Sequence, residues 1–293
     1  MSAHVARVHA QAKLNLGLRV LARERGGFHE IETLFVRIAL ADVVMVRALD
    51  DEERTLEVHG MDVGPAEDNL AYRAAVAYAT ATGWPHGFAI DVEKKIPVAG
   101  GFGGGSADAG AVLRALNALA PEPVADAELL RLAMPLGADV PYLTTTEPFA
   151  LAWGRGERML ALPALPERAV VLVLPGFPIE TATAFAWLAE SRPTDIPSPR
   201  IVSVQELTSW ESVQRHVVND FELVVAEHHP EIPAIIAQLR EAGASIAGMT
   251  GSGSALFGIV PLFSDTAPLT STLPGIVLPT RTVTRVAAVE LVE

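Results

Sequence analysis

"VAGGFGGGSADAGAVLRALN" (98–117) sets five glycines into residues 100–105, follows them with one serine and runs at once into a helical pattern. Glycine lacks a Cβ and adopts positive φ without strain, so a string of them lets successive backbone N–H groups converge on one point and form an anion-binding concavity. The helix predicted to start near Ser106 adds N–H groups that its own turns leave unpaired, together with the positive end of its dipole. Ala109, Val112, Leu113, Leu116, Leu119 and Ala120 recur at helical spacing and predict one apolar stripe along it. With the strand-like "GFAIDVE" (87–93) ahead, the order strand, glycine-rich loop, helix N-terminus reads as a phosphate cradle. A tight turn or a close helix-strand contact accounts for one or two of these glycines, not for five. The stretch alone leaves the class of phosphate binder open. The pattern G-x-x-x-x-G-K-[ST] is absent because no lysine follows the last glycine, and the dinucleotide pattern begun by Gly101 and Gly103 breaks at Ser106, where its third glycine would fall.

The remaining composition bounds the answer. A chain of 293 residues is long enough for two ordinary domains or one large one, and half of it is apolar with 19% charged residues, a globular balance. No apolar run reaches bilayer-spanning length, and "MSAHVARVHAQAKLNL" (1–16) lacks a signal-peptide core, so a cytoplasmic protein with no membrane partner is expected. The absence of cysteine excludes disulfides, thiolate metal sites and thiol nucleophiles. A net charge of −13 argues against nucleic acid as a partner, so any anionic ligand must be held by a local site. Lysine is rare: Lys13 lies in the first strand pattern, and Lys94 and Lys95 lie just ahead of the glycines.

Along the chain, strands alternate with helices. In "AKLNLGLRV" (12–20) Leu14, Leu16, Leu18 and Val20 are predicted to share one face and Lys13, Asn15 and Arg19 the other. Further strands are predicted over 42–48, 55–59, 87–93, 169–175 and 255–260. Helices are predicted from about Asn69 to Ala81, after the glycines, after a cap at Asp126, and over 203–228 and 231–242. A Pro-rich connector occupies 191–200, and "TVTRVAAVEL" (282–291) closes the chain. The change in pattern near 158 suggests two domains, 1–157 with the phosphate loop and 158–293.

"KKIPVAGGFGGGSADAG" (94–110) resembles the second motif of the GHMP kinases, a superfamily of small-molecule phosphotransferases. "AKLNLGLRVLARERGGFHEIETLF" (12–35), "LGADVPYL" (136–143) and "MTGSGSALFG" (249–258) resemble, in order and spacing, the branch of that family that phosphorylates a cytidine-diphosphate-linked methylerythritol in non-mevalonate isoprenoid synthesis. The likeness runs over nearly the whole chain, and "PGFPIETATAF" (175–185) and "NDFE" (219–222) fit it. It implies a two-domain α/β plus α+β fold: an N-terminal domain like ribosomal protein S5 and a C-terminal domain with an antiparallel sheet, with ATP and a small-molecule substrate meeting between them.

It also implies roles. Asp139 matches the catalytic aspartate that accepts or orients the proton of the substrate hydroxyl, and Lys13 its basic partner. The ATP side comprises Lys94 and Pro97, Val98, Ala99, Gly100, Gly101, Phe102, Gly103, Gly104, Gly105, Ser106 and Ala107, with the stretch around Asn69 beside it. Ser106 is the one hydroxyl in the loop for phosphate or Mg²⁺, no carboxylate stands out as a metal ligand, and ATP phosphates and water are expected to hold most of the ion. Asn15, Phe28, His29 and Phe185 match the substrate side: the histidine hydrogen-bonds the cytosine edge and the two rings stack on its faces. "GSGS" (251–254) reads either as a second loop near the phosphates or as a plain turn. The family usually has Tyr at 28, Leu at 102 and Ser at 107, and none of these changes removes a charge the reaction needs. Two alternatives stay open. A GHMP kinase for homoserine, mevalonate or a sugar shares the cradle and the Lys13/Asp139 pair but needs no cytosine clamp; a nucleotide-binding regulator on an inactive kinase scaffold would not need the pair. The oligomeric state expected is a monomer or weak homodimer.

Overall fold

A computed structural model describes residues 5–23, 29–98, 100–192, 202–262 and 273–292. The chain opens with two long strands, β1 (Val5–Arg23) and β2 (His29–Leu49), and a short β3 (Arg54–His59). Helix α1 (Leu70–Thr82) then crosses to β4 (Gly87–Glu93), which lies parallel to β3. Helices α2 (Gly104–Leu119), α3 (Asp126–Ala133) and α4 (Val140–Thr144) follow, and the hairpin β5 (Phe149–Gly154) and β6 (Arg158–Ala161) returns to β2. A second group begins with β7 (Ala169–Leu174), α5 (Thr181–Ser191) and α6 (Trp210–Val213), and continues through α7 (Asp220–His228) and α8 (Glu231–Glu241). It ends with β8 (Ile246–Met249), β9 (Leu256–Val260) and β10 (Ile276–Arg281), after which β11 (Glu290–Val292) pairs with the start of β1.

Among the described residues the larger sheet has seven strands, with β11-β1-β2-β4-β3 as its path and β5 and β6 branching from β2, and the smaller sheet runs β10-β7-β9-β8, antiparallel throughout. β2 is forked: Ile31–Val36 pair with β5 and Val43–Leu49 with β4, so Ile38–Asp42 border neither. β1 carries register shifts between Gln11 and Lys13 and between Asn15 and Gly17. Such bulges bend a strand and re-aim its side chains, and here they bracket Lys13 and Asn15.

Two apolar cores follow from the two sheets. One lies between the larger sheet and α1 and α2, where Leu14, Phe35, Val112, Leu113 and Leu116 are buried. The other lies between the smaller sheet and α5, α7 and α8. Each Val or Leu fully removed from water there contributes about 1.5–3 kcal/mol. β1 serves both, since Leu14 and Leu16 enter the first core while Leu18 and Val20 enter the second.

The elements depart from the sequence pattern in definite ways. Helix α2 begins at Gly104, two residues before the expected start, because Gly103 at φ 74° takes the left-handed N-cap position. Asn69 caps α1 from outside by accepting the Ala71 N–H. Asp126 is the first residue of α3 and not its cap, which is Ala125. The region 203–228 breaks into short turns before α7, and of 282–291 only the last residues form a strand. Residue 158 opens β6, which belongs to the larger sheet, as does β11; the smaller sheet starts at Ala169. Most of the Pro-rich connector lies outside the described residues.

Candidate active site

The glycine loop and its helix face a cleft of about 1640 Å³ that draws its lining from both groups of elements. That exceeds the roughly 300–1,000 Å³ of a site for one small molecule, so the cleft has room for two. α2 leaves the amides of Gly104, Gly105 and Ser106 without helical partners, its N-cap offers no side chain to satisfy them, and its first turn holds no acid. The cleft end of α2 is therefore an open, positively polarised site. Two of the glycines have a specific steric duty. A Cβ on Gly101, at φ 69°, would stand 2.7 Å from Thr250 O, and one on Gly103 would stand 3.1 Å from Lys13 Cε. Close approach thus explains more of the run than the bare pattern suggests. Phe102 turns its ring into the core and presents only backbone, accepting the Lys13 N–H at 3.0 Å. Ala107 is buried, Ala99 lies outside the described residues, and Pro97 and the exposed Val98 line the cleft, as do Asn69 and Leu70.

Lys13 and Asp139 meet. Lys13 Nζ is 3.1 Å from Asp139 Oδ2, and the lysine side chain is 3% exposed against 28% for the aspartate, so the carboxylate faces the cleft and the ammonium backs it. The same ammonium donates to Asn15 Oδ1 at 2.5 Å and sits 5.5 Å from the Phe35 ring centroid. Asn15 Nδ2 donates to Thr33 Oγ1 at 2.8 Å, and the Thr33 hydroxyl donates to Gly17 O at 2.7 Å. An ammonium has no acceptor, so this closed chain of donors fixes which way the Asn15 amide points. From the smaller group, Thr250 Oγ1 accepts the Asn15 N–H at 3.0 Å.

Asp139 stands at the N-terminus of α4 without capping it through its side chain. The far end of α4 is gripped by Arg37, a fully buried residue in β2 that donates to Tyr142 O and Thr145 O at 2.9 and 3.1 Å and to Gln11 O at 3.0 Å. Burial lowers its pKa to about 10, still far above neutrality. The same end of α4 passes close to α2 at Gly110, where a Cβ would lie 2.5 Å from Leu143 O. Ser106 turns its hydroxyl toward the segment ahead of α4, 4.0 Å from where a Cβ on Gly137 would stand.

His29 and Phe185, also in the cleft lining, stack with ring centroids 4.4 Å apart, and Phe221 meets the edge of Phe185 at 4.8 Å. Phe28 lies outside the described residues. Gly251 and Ser252 line the cleft too; Asn219 Nδ2 holds their loop by donating to Met249 O and Gly251 O at 2.8 and 2.9 Å. Lys94 lines the cradle with its ammonium already held by Asp42 and Asp108 at 2.5 and 2.7 Å. Arg37 and Asp42 lie outside every motif read from the sequence, and Thr33, Asp108, Asn219 and Thr250 lie inside motifs that gave them no role of their own. The available signal was a charged residue inside an otherwise apolar run, as with Arg37 in "LFVRIAL" and Asp108 in "SADAGAVL".

Comparison with known proteins bears on this arrangement. Residues 69–146 match the GHMP kinases N terminal domain and residues 199–267 the GHMP kinases C terminal domain. A 4-diphosphocytidyl-2-C-methyl-D-erythritol kinase of Solibacter usitatus is 39% identical over 87% of this chain and 81% of its own. The chain belongs to this branch of the GHMP kinases. A namesake from Moorella thermoacetica is 38% identical over 85% of this chain and 88% of its own. A crystal structure of 4-(cytidine 5'-diphospho)-2C-methyl-D-erythritol kinase superposes on this kinase with a TM-score of 0.77 at 35% identity, covering 94% of this chain and 98% of the other. A homoserine kinase from Cytophaga hutchinsonii shares the fold at 16% identity with a TM-score of 0.70. The chain is accordingly an ATP-dependent phosphotransferase acting on an alcohol, with the two-domain GHMP fold. No helix among the described residues is long and apolar enough to cross a membrane.

Proposed function

We propose that the chain transfers the γ-phosphoryl group of ATP to the 2-hydroxyl of 4-diphosphocytidyl-2-C-methyl-D-erythritol. The observation that carries this is the Lys13–Asp139 pair, 3.1 Å apart, standing beside an uncapped helix N-terminus in a cleft with room for two ligands. Phosphoryl transfer asks a protein for positioning and for stabilisation of spreading negative charge more than for covalent chemistry. The amides of Gly104, Gly105 and Ser106 receive the ATP phosphates, and Pro97 and Val98 wall the adenosine end. Asp139 accepts or orients the proton of the attacking hydroxyl. The new O–P bond forms as the bond from the γ-phosphorus to the β–γ bridging oxygen breaks, and ADP leaves with that electron pair. Lys13, held by Asn15, keeps Asp139 in place and offsets charge on the transferring group.

Magnesium fits an oxygen-donor site at the cradle, where the Ser106 hydroxyl lies next to the loop of Gly137. Among the described residues the one group of carboxylates and histidine close enough to share an ion, Glu57, His59 and Asp91, is exposed and outside the cleft lining. ATP phosphates and water would therefore supply the remaining ligands. A bound ion would neutralise phosphate charge.

The His29–Phe185 stack favours the cytidyl substrate over that of another GHMP kinase: a cytosine ring entering here takes the face of Phe185 that His29 now covers, and the displaced His29 meets the base edge. We place the enzyme in the cytoplasm as a monomer or weak homodimer, with no nucleic-acid partner. Asp139→Asn tests the reading. Turnover of the cytidyl substrate should fall by about 10²–10⁴-fold, the usual range for loss of a positioned base, with ATP affinity within about twofold of wild type. Wild-type turnover in a folded variant would refute it.

A further inference from the structure

Asp42, Lys94 and Asp108 are 0%, 8% and 3% exposed and form a charged group that the phosphoryl transfer above does not use. Asp42 sits at the end of the open stretch in β2. Its Oδ1 accepts the backbone N–H groups of Lys95 and Ile96 at 2.5 and 2.8 Å, and its Oδ2 accepts Lys94 Nζ at 2.5 Å. The same ammonium donates to Asp108 Oδ2 at 2.7 Å, just over one turn into α2. The glycine loop runs from Ile96 to Gly104, so these bonds tie its two ends together from behind. There is little slack at the junction, since a Cβ on Gly104 would stand 3.1 Å from Ile96 Cγ2 and 3.4 Å from Lys94 Nζ.

Charge accounting makes the arrangement unusual. A buried ammonium needs a partner, and Asp42 alone is one. A second buried carboxylate next to a polyphosphate site opposes nucleotide binding electrostatically, so attraction of ligand does not explain it; its reach across the loop does. Burial raises the pKa of Asp108 to about 7, with Lys94 opposing the shift and Asp42 adding to it, which tempers the excess charge near neutrality. Burial also works against the charge of Lys94, but Asp108 and Asp42 outweigh it and raise its pKa.

We propose that Asp42, Lys94 and Asp108 are a positioning clasp that fixes the two ends of the glycine loop at the spacing the nucleotide phosphates require, with Lys94 acting through the loop and not by touching the nucleotide. This rests on the reading of the loop as the phosphate cradle. A loop so rich in glycine has much backbone freedom to lose, and charge-assisted hydrogen bonds at its ends remove that freedom before the ligand arrives.

The test is ADP binding by calorimetry on the full chain, with amide exchange over residues 100–106 and separate KM values for ATP and the cytidyl substrate. Asp108→Ala leaves the balanced Asp42–Lys94 pair; it should weaken ADP binding about tenfold, the scale of one charged hydrogen bond, speed exchange in the loop and leave the cytidyl KM unchanged. Asp108→Asn keeps an oxygen for Lys94 Nζ and should bind ADP nearly as wild type does. If the alanine variant does not fold, Asp108→Ser, too short to reach the ammonium, gives the same readout. Wild-type ADP affinity in the alanine or serine variant would overturn the clasp. Equal losses with alanine and asparagine would also overturn it, because the carboxylate, whose Oδ1 is buried without a hydrogen-bond partner among the described residues, would then be meeting the ligand or its metal directly. Failure of the wild type to bind ADP would instead refute the cradle, and the clasp with it.

Discussion

Gly110→Ala tests how Asp139 is held in place without touching any group that meets substrate. The added methyl would stand 2.5 Å from Leu143 O, 2.6 Å from Leu143 C and 2.8 Å from Thr144 N, all of them backbone atoms of α4. Comfortable carbon contacts begin near 3.5 Å, so α4 must recede by about 1 Å. The push falls at the end of α4 that Arg37 holds through Tyr142 O and Thr145 O, and because the helix has only five residues and begins directly after Asp139, its displacement passes to the aspartate. The contact between Asp139 Oδ2 and Lys13 Nζ, now 3.1 Å, opens accordingly. Overpacking of this kind costs about 1–3 kcal/mol of stability, and a misplacement of about 1 Å at a reacting group costs on the order of 10²-fold in rate. We expect kcat at saturating substrates to fall by that factor while ADP affinity changes less than about twofold, because Gly110 lies well beyond the amides at the start of α2. Steady-state kinetics, ADP calorimetry and a thermal melt measure the three quantities. A folded variant with wild-type kcat would show that the crossing of α2 and α4 does not set Asp139.

Phe185→Ala should raise KM for the cytidyl substrate by about 10–100-fold, the equivalent of roughly 1–3 kcal/mol of base stacking, with KM for ATP unchanged; equal changes in both would remove the cytosine assignment. The pH dependence of stability should carry a component from Asp108, whose pKa rises from 3.8 to about 7 on folding. The folded state holds this proton where the unfolded chain has lost it, so the stabilisation is complete below the unfolded value, declines as pH rises and is gone above the folded one. Melting temperatures followed from pH 4 to pH 8 should fall more steeply for wild type than for Asp108→Asn, and parallel curves would contradict the shift.

Much of the cradle was legible because glycine runs and helix periodicity are local signals. The start of α2 at Gly104 was not, since any of the adjacent glycines could take the left-handed cap, and the side chains that crowd Gly103, those of Lys13 and Leu143, are remote in sequence. Strict alternation in 12–20 placed Lys13 and Asn15 on one side, but gave no hint that this polar side is buried too, because the second layer over it comes from α4 and from Thr250. Short strands such as β6 and β8 carry too few residues for a period to register. Asp42, Arg37 and Asp108 were invisible as site residues for a common reason: each works by accepting from or donating to backbone groups or buried partners that only the assembled fold brings near.

The pairing of β11 with Val5–Arg7, reinforced by Ala287, which donates its N–H to Gln11 Oε1 and accepts a hydrogen bond from Arg114, joins residues almost three hundred positions apart. On a ribosome the N-terminal sheet therefore waits with one border of β1 uncovered until nearly all of the polypeptide described here has been made. Contacts so distant in sequence are slow to form, and an uncovered strand border is where nascent chains stick to one another. Folding of this kinase thus sets the arrival of Glu290–Val292 against self-association through the border of β1 that they cover.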